Sequence, residues 1–141
     1  MKVDYGVRAL IDLAQHGDEG PVRTSDIAGR ENIPEPYLDH LLTILSKSGF
    51  IQSKRGPQGG HVLSKSPQEI SLGVIMSTLD VSSSLLDCFD EPSTCTLYST
   101  CAQREVWRSM GETAQNLLSS ITIGDLAQRQ KRLSSKGIYQ I

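Results

Sequence analysis

The sequence predicts a mainly α-helical fold with one small β-hairpin, arranged as a winged helix-turn-helix followed by a long C-terminal dimerisation helix. Apolar residues recur at helical spacing through most of the chain. Two short helical segments are joined by a tight turn at Asn32-Ile33-Pro34, which is typical of a helix-turn-helix. A glycine-rich turn between two strand-like runs follows them. At 141 residues the chain is long enough for one domain, or for a small domain with an appended helix.

Three helices are predicted before the hairpin. The first ends near His16-Gly17, and its apolar stripe comprises Val3, Val7, Leu10, Leu13 and Ala14. The second opens at Thr24–Ala28, with Thr24 or Ser25 as the expected N-cap. The third starts at Glu35-Pro36 and ends at Ser48-Gly49. Its apolar face consists of Leu38, Leu41, Leu42 and Leu45.

The hairpin and the later elements follow in order. Phe50–Arg55 and His61–Leu63 are the predicted strands, with Gly56–Gly60 as the turn. Ser66–Glu69 is expected to cap a fourth helix, which carries Ile70, Val74, Ile75 and Leu79. A long amphipathic helix carries Val106, Met110, Ala114, Leu117 and Leu118, and a short helical turn follows at Ile121–Leu126. The expected division is a helix-turn-helix domain at 1–66, a cysteine loop with the later helices at 67–128, and a flexible tail at 129–141.

Composition excludes several classes of function. The net charge of −2 means that any DNA-binding face must be local. No apolar run approaches the roughly 20 residues that span a bilayer, so no membrane association is expected. The N-terminus has no signal-peptide core, so the expected compartment is the reducing cytoplasm. Paired carboxylates, a nucleophile with its base, and a phosphate-binding glycine loop are lacking, so an enzyme is not predicted.

A candidate DNA-binding face lies on the third helix and the hairpin. A major groove about 12 Å wide admits one helix. The helix face opposite the leucines offers Tyr37, Asp39, His40 and Thr43. The hairpin places Lys54 and Arg55 near Gly59 and Gly60, which suits a phosphate or a minor groove. The alternative is an ordinary amphipathic helix followed by a structural turn.

The three cysteines, Cys88, Cys95 and Cys101, lie within fourteen residues of one another. An odd number cannot form a closed disulfide framework. Thiols at this density usually hold a metal ion or a cluster, or form a redox switch, and three thiolates on an iron–sulfur cluster would leave one coordination position for another ligand. Structural zinc is disfavoured because C-x2-4-C pairs are absent. A thiol–disulfide sensor and an iron–sulfur electron carrier remain as alternatives, although a carrier would need neither helix-turn-helix nor wing.

The segment Arg55–Leu63 resembles the R-G-P-x-G-G-[aromatic or His]-x-L wing of the IscR/NsrR-type (Rrf-two) winged-helix iron–sulfur transcription regulators. The likeness extends over nearly the whole chain except about the last dozen residues. The other matching segments are Asp4–Leu10, Tyr37–Asp39, Leu45–Ile51, the cysteine triad with Trp107, and Ile121–Leu126. The resemblance implies a homodimeric repressor or other regulator that binds a double-stranded DNA operator. It places helix 3 in a major groove and the wing near a minor groove.

The resemblance also implies a [2Fe-2S] or [4Fe-4S] cluster that senses iron or cluster status, redox state or nitric oxide. Its expected ligands are Cys88, Cys95 and Cys101, in the spacing C-x6-C-x5-C instead of the family's C-x5-C-x5-C. Arg104 stands where IscR-type members have a His ligand, so Asp4 of the other subunit, as in NsrR-type members, is the expected fourth ligand. A cluster-free thiol-redox regulator of the same family is the alternative.

By the resemblance, Asp39, His40 and Arg55 occupy positions that read bases or the groove in IscR-type members. Asp39 stands where IscR has a Glu that discriminates between two classes of operator, and His40 stands where IscR has Gln. The resemblance therefore implies DNA binding and leaves the operator sequence open.

Overall fold

The computed structural model describes residues 2–80 and 92–139. The helices are α1 (Lys2–His16), α2 (Thr24–Glu31), α3 (Glu35–Lys47), α4 (Leu72–Leu79), α5 (Ala102–Ser120) and α6 (Ile123–Tyr139), and the strands are β1 (Ile51–Lys54) and β2 (Gly60–Leu63). Single 3-10 turns occupy Gly17–Glu19, Pro67–Glu69, Pro92–Thr94 and Tyr98–Thr100. The predicted fold class is confirmed, because a helical body carries one two-stranded antiparallel hairpin after α3. Cys88 lies outside the described residues.

The core lies among α1, α2, α3 and the base of the hairpin. The four leucines predicted for the inner face of α3 are all buried. They pack with Ala9, Leu10 and Leu13 of α1 and with Ile27 of α2. The apolar faces read from helical spacing therefore form one continuous core, and the opposite face of α3 is left in solvent.

Backbone turns fix how α2, α3 and the hairpin follow one another. Asn32 ends α2 in the left-handed conformation, with φ of 54°, and Pro34 precedes α3. In the hairpin, Ile51 pairs with Leu63 and Lys54 pairs with Gly60. Val22 exchanges both backbone hydrogen bonds with His61, at 3.0 and 2.7 Å, and so adds a one-residue bridge to β2. This bridge attaches the hairpin to the segment that leads into α2.

Two helix starts differ from the sequence expectation. The N-cap of α2 is Arg23, without a side-chain cap, and Thr24 is the first helical residue. Its hydroxyl instead bonds to side chains from the hairpin and α3. The fourth helix starts at Leu72, because the Ser71 hydroxyl accepts a hydrogen bond from the backbone N–H of Val74 at 3.2 Å. Ser66–Glu69, expected to cap that helix, leads into a separate 3-10 turn.

The C-terminal segment also differs from the expectation. A short helical turn and then a flexible tail from Arg129 were predicted, whereas α6 continues to Tyr139. The helix begins with a capping box, in which the Thr122 and Asp125 side chains each accept the other's backbone N–H at 3.1 Å. Leu126 and Ala127 pack against the core, and the polar residues beyond them are good helix formers. Packing against the core and helix propensity together therefore keep this segment helical despite its polar composition.

The long helix α5 is confirmed, but it contributes no buried residue to the body of the protein. It packs mainly on α4, whereas the main helical neighbour of α1 is α6. Val106, Met110 and Leu117 keep 65%, 50% and 60% of their surface exposed. Their spacing of four and seven residues places them on one side of the helix. Within the described part of the chain, this apolar stripe is uncovered.

Candidate DNA-binding face and cysteine site

The predicted base-reading side chains lie together on the exposed face of α3. Tyr37, Asp39, His40 and Thr43 are all exposed, since the leucines opposite them anchor the helix in the core. The Thr43 hydroxyl donates to the Asp39 carbonyl one turn earlier, at 2.9 Å. Aromatic, carboxylate, imidazole and hydroxyl groups are thus exposed on one face of a helix, and a DNA major groove is wide enough to admit a helix.

Asp39 belongs to a line of four hydrogen-bonded side chains from four different elements. The Thr24 hydroxyl, at the start of α2, donates to Asp39 Oδ1 at 3.2 Å and also contacts His61 Nε2 at 2.8 Å. The Ser53 hydroxyl on β1 contacts His61 Nδ1 at 2.9 Å. This Asp39–Thr24–His61–Ser53 network joins the recognition helix to both strands of the hairpin.

The network was not predicted from the sequence. His61, predicted as part of the second strand, is half-buried between Thr24 and Ser53. Burial lowers the pKa of the His61 imidazole, and the nearby Asp39 carboxylate opposes that effect. His61 is therefore neutral at pH 7, with one ring nitrogen donating and the other accepting. Among the other histidines, His40 is exposed and His16 contacts the Asp12 carbonyl oxygen at 3.0 Å.

The tip of the hairpin carries an exposed basic group. Lys54 ends β1 and Arg55 follows it, and both side chains are exposed. Arg23 joins them, because its guanidinium donates to the Pro57 carbonyl at the tip at 2.8 Å. Arg23 was missed because it lies 34 residues away in sequence. Three exposed cations therefore lie on or against the wing of a chain whose net charge is negative, so positive charge is concentrated there locally.

The two candidate glycines of the wing are placed against the protein's own backbone. A Cβ on Gly59 would collide with the Lys54 carbonyl oxygen. Gly60 has φ of 150°, and a Cβ there would come within 2.6 Å of the Val22 carbonyl oxygen. Both glycines are needed for the shape of the wing, whatever they contact in DNA.

Asp4 lies in the first turn of α1, with 54% of its side chain exposed. It pairs with Arg8 at 3.1 Å. Arg8 also donates to the Glu31 carbonyl at 3.3 Å and lies 5.7 Å from the centre of the Tyr5 ring. Tyr5 makes an edge-to-face contact with Tyr37 of α3, with 5.7 Å between ring centres. Asp4 is thus accessible and lies at one end of a series of contacts that leads to the recognition helix.

Cys95 and Cys101 are both free thiols and both half-buried. Cys101 is the N-cap residue of α5, and its side chain makes no capping hydrogen bond. The first N–H groups of α5 have no partner within the helix and carry a partial positive charge, so Cys101 stands at the positive end of the helix dipole. Among the described residues no cluster of three or more Cys, His, Asp or Glu side chains is assembled, and the third cysteine of the triad lies outside them.

Arg104 stands three residues after Cys101 and cannot act as a ligand. Its guanidinium lies 4.2 Å from the centre of the Tyr98 ring. In the part of the chain that the structure describes, its Nε is buried without a hydrogen-bond partner. The Tyr98 hydroxyl accepts a hydrogen bond from Arg108 at 3.1 Å. Arg104 and Arg108 therefore both contact Tyr98, in the short segment between Cys95 and the first turns of α5.

The three-helix body, the exposed face of α3 and the basic hairpin define the class of this protein as a winged helix-turn-helix regulator. A family model described as Rrf2, iron-dependent transcriptional regulator, matches residues 1–129. The chain belongs to the Rrf2 family of transcriptional regulators, and this membership implies DNA binding. Within residues 2–80 and 92–139, no helix combines the length and hydropathy of a bilayer-spanning segment.

Individual relatives agree with the family assignment. The HTH-type transcriptional regulator IscR of Pectobacterium atrosepticum is 35% identical over 130 residues, which span 92% of this chain and 79% of that protein. The solved structure of T. potens IscR has a TM-score of 0.76 at 35% identity, covering 92% of this chain and 85% of the other. The structure of CymR, the global cysteine regulator of B. subtilis, has a TM-score of 0.78 at 32% identity, with coverage of 92% and 95%.

Proposed function

We propose that this protein is a homodimeric transcription regulator whose operator affinity is controlled by an iron–sulfur cluster. The proposed ligands are Cys88, Cys95, Cys101 and Asp4 of the partner subunit. The observation that carries the proposal is the setting of Cys101, a free thiol at the N-terminus of the 19-residue helix α5. When bound, such a cluster supplies a group whose charge and integrity respond to iron, oxidation or nitric oxide.

The proposed role of Asp4 requires that it leave Arg8. The pair is exposed and lies one turn apart on α1, so its loss costs only about 0.3–0.5 kcal/mol. Arg8 would then lose one of its partners while it contacts the end of α2 and the ring of Tyr5. Cluster occupancy would thereby change contacts that reach the recognition helix.

The proposed dimer interface is the uncovered apolar stripe of α5. Val106, Met110 and Leu117 are each at least half exposed, and contiguous apolar surface of this kind is typical of protein–protein interfaces. A second copy of the stripe is a self-complementary partner, as two-fold symmetry requires. Two recognition helices would then meet successive major grooves about 34–36 Å apart.

Anaerobic purification with iron and sulfide analysis and a visible spectrum tests the cluster. We expect iron and sulfide in the unmodified chain, loss of both in Cys95→Ser, and an altered spectrum in Asp4→Ala. Asp18→Ala removes another exposed acidic side chain and should leave the spectrum unchanged. A colourless, iron-free protein after reconstitution would exclude the cluster, and an unchanged spectrum in Asp4→Ala would exclude Asp4 as a ligand.

A cluster-free thiol-redox regulator is the second candidate. The likeness to CymR, whose structure is titled a global cysteine regulator, and the two free cysteines favour it. It predicts an iron-free protein whose operator affinity changes on oxidation by a thiol oxidant and recovers with dithiothreitol. An iron–sulfur electron carrier is a weaker alternative, because it would need neither the helix-turn-helix nor the wing. It predicts a protein without salt-dependent binding to duplex DNA.

A further inference from the structure

The Asp39–Thr24–His61–Ser53 network has a direction. The Thr24 hydroxyl has one proton, and it donates that proton to Asp39 Oδ1 at 3.2 Å. Its 2.8 Å contact with His61 Nε2 must then be one in which the imidazole donates and the hydroxyl accepts. A neutral imidazole protonated at Nε2 leaves Nδ1 as an acceptor, which the Ser53 hydroxyl satisfies at 2.9 Å. Every group therefore has a role in one consistent line of donors that ends at the Asp39 carboxylate.

This line restricts a side chain that would otherwise rotate freely. Asp39 is exposed on α3, and an unrestrained carboxylate loses rotational freedom when it binds a base. The hydrogen bond from Thr24 occupies Oδ1 and leaves Oδ2 for another donor. Thr24 is in turn held by His61, which the backbone bridge to Val22 keeps in place.

We infer that Thr24 and His61 are positioning residues that aim Asp39 at the exocyclic amino group of a cytosine in the major groove, which sets base preference at one operator position. This inference rests on the proposal that α3 reads DNA bases. An ionised carboxylate only accepts hydrogen bonds, and the cytosine N4 amino group is its matching donor in the groove. A thymine at the same position presents the acceptor O4, so the carboxylate opposes it.

The network connects the recognition helix to the wing, because its residues lie on both. Asp39 lies on the recognition helix, whereas His61 and Ser53 lie on the wing that carries Lys54 and Arg55. A wing seated on the DNA backbone would hold His61 in place, and His61 would hold the base-reading carboxylate through Thr24. Base preference at one position should therefore depend on residues that do not themselves touch that base.

The test begins with the full chain and a randomised pool of DNA duplexes, from which a preferred sequence is selected. Affinities for all single-base changes in that sequence are then compared between the unmodified protein and Asp39→Ala. The position whose cytosine preference disappears in Asp39→Ala is the one that Asp39 reads. A good base contact discriminates by about 1–3 kcal/mol, or roughly 5- to 150-fold in affinity.

Two matched pairs of variants then separate positioning from folding. Thr24→Val removes the hydroxyl at nearly constant shape and should lose at least 5-fold of the preference at that position only, while Thr24→Ser should retain it. His61→Leu should behave like Thr24→Val, whereas His61→Gln keeps an amide that can donate to Thr24 and should retain most of the preference. Thermal unfolding of all four variants reports any general loss of stability.

Several outcomes would overturn the inference. One is a Thr24→Val protein that keeps the full preference for cytosine, and another is an Asp39→Ala protein with the base preferences of the unmodified chain. A uniform loss of affinity in Thr24→Val, with preferences unchanged, would show that the network only supports the fold. An unmodified protein that selects no sequence and binds no duplex would instead contradict the proposed function itself.

Discussion

The ion pair between Asp12 and Arg30 provides a stringent test of how the helix-turn-helix is held together. Asp12 lies on the inner side of α1 and is fully buried. Arg30 of α2 donates to its two carboxylate oxygens from Nε and Nη2, at 2.8 Å each. These hydrogen bonds raise the pKa of the Arg30 guanidinium, and burial opposes the effect. Replacing Arg30 by Met should therefore leave a buried carboxylate without its principal partner.

The expected magnitude follows from the exposure of the two groups. Removing one partner of a fully buried pair costs about 3–5 kcal/mol. Here 39% of the Arg30 side chain is exposed, so water partly replaces it, and His16 Nδ1 still lies 3.7 Å from the same carboxylate. We therefore expect Arg30→Met to lower the free energy of unfolding by about 2–3 kcal/mol at pH 7.

Urea unfolding measures this loss, with an unchanged dependence on urea as the sign that unfolding remains two-state. Arg129→Met, on the exposed side of α6, is the matched control and should change stability by less than about 0.5 kcal/mol. The double variant Asp12→Leu/Arg30→Met should regain at least half of the loss, because an apolar pair needs no compensating charge. The reasoning fails if Arg30→Met is as stable as the control, or if the double variant is no more stable than the single one.

Three further predictions concern the wing, the imidazole and α5. Gly60→Ala should destabilise the folded protein by about 1–3 kcal/mol, because the added Cβ would collide with the Val22 backbone. Gly29→Ala has open space around its Cβ and should leave thermal stability unchanged or raise it. The folded-state pKa of His61 lies below its ordinary value of 6.5, so the unfolded chain takes up the proton first. Stability should therefore fall as pH drops below about 6.5, and His61→Gln should remove that part of the pH dependence. Met110→Glu should convert the proposed dimer to a monomer in sedimentation without lowering helix content, while a protein that remains dimeric would exclude the α5 stripe as the interface.

Much of the body could be predicted because its signals are local. The leucines of α3 recur at helical spacing, and helical packing places all four in the core. The glycine-rich turn predicted the hairpin because few other residues tolerate its backbone geometry. The exposed face of α3 followed directly, since it lies opposite the leucines. The division at residue 66 stays a prediction.

The contacts between elements could not be predicted in the same way. Thr24 looked like an N-cap because its residue type suits one, but its hydroxyl bonds to His61, 37 residues away. The pair of Asp12 and Arg30 spans 18 residues. One signal was available, because Asp12 interrupts an apolar run from Leu10 to Leu13, and a buried carboxylate requires a cationic partner. Nothing local identifies which cation that is.

The most direct test of the central claim compares operator affinity with and without the cluster. One anaerobic preparation is divided, and the iron is chelated from half of it. The affinity of each half for the selected duplex is then measured at one fixed salt concentration, because phosphate contacts make any affinity salt-dependent. The account predicts that the two affinities differ by at least about tenfold, or 1.4 kcal/mol of coupling. Equal affinities in the two halves, or a preparation without iron that binds the operator fully, would contradict it.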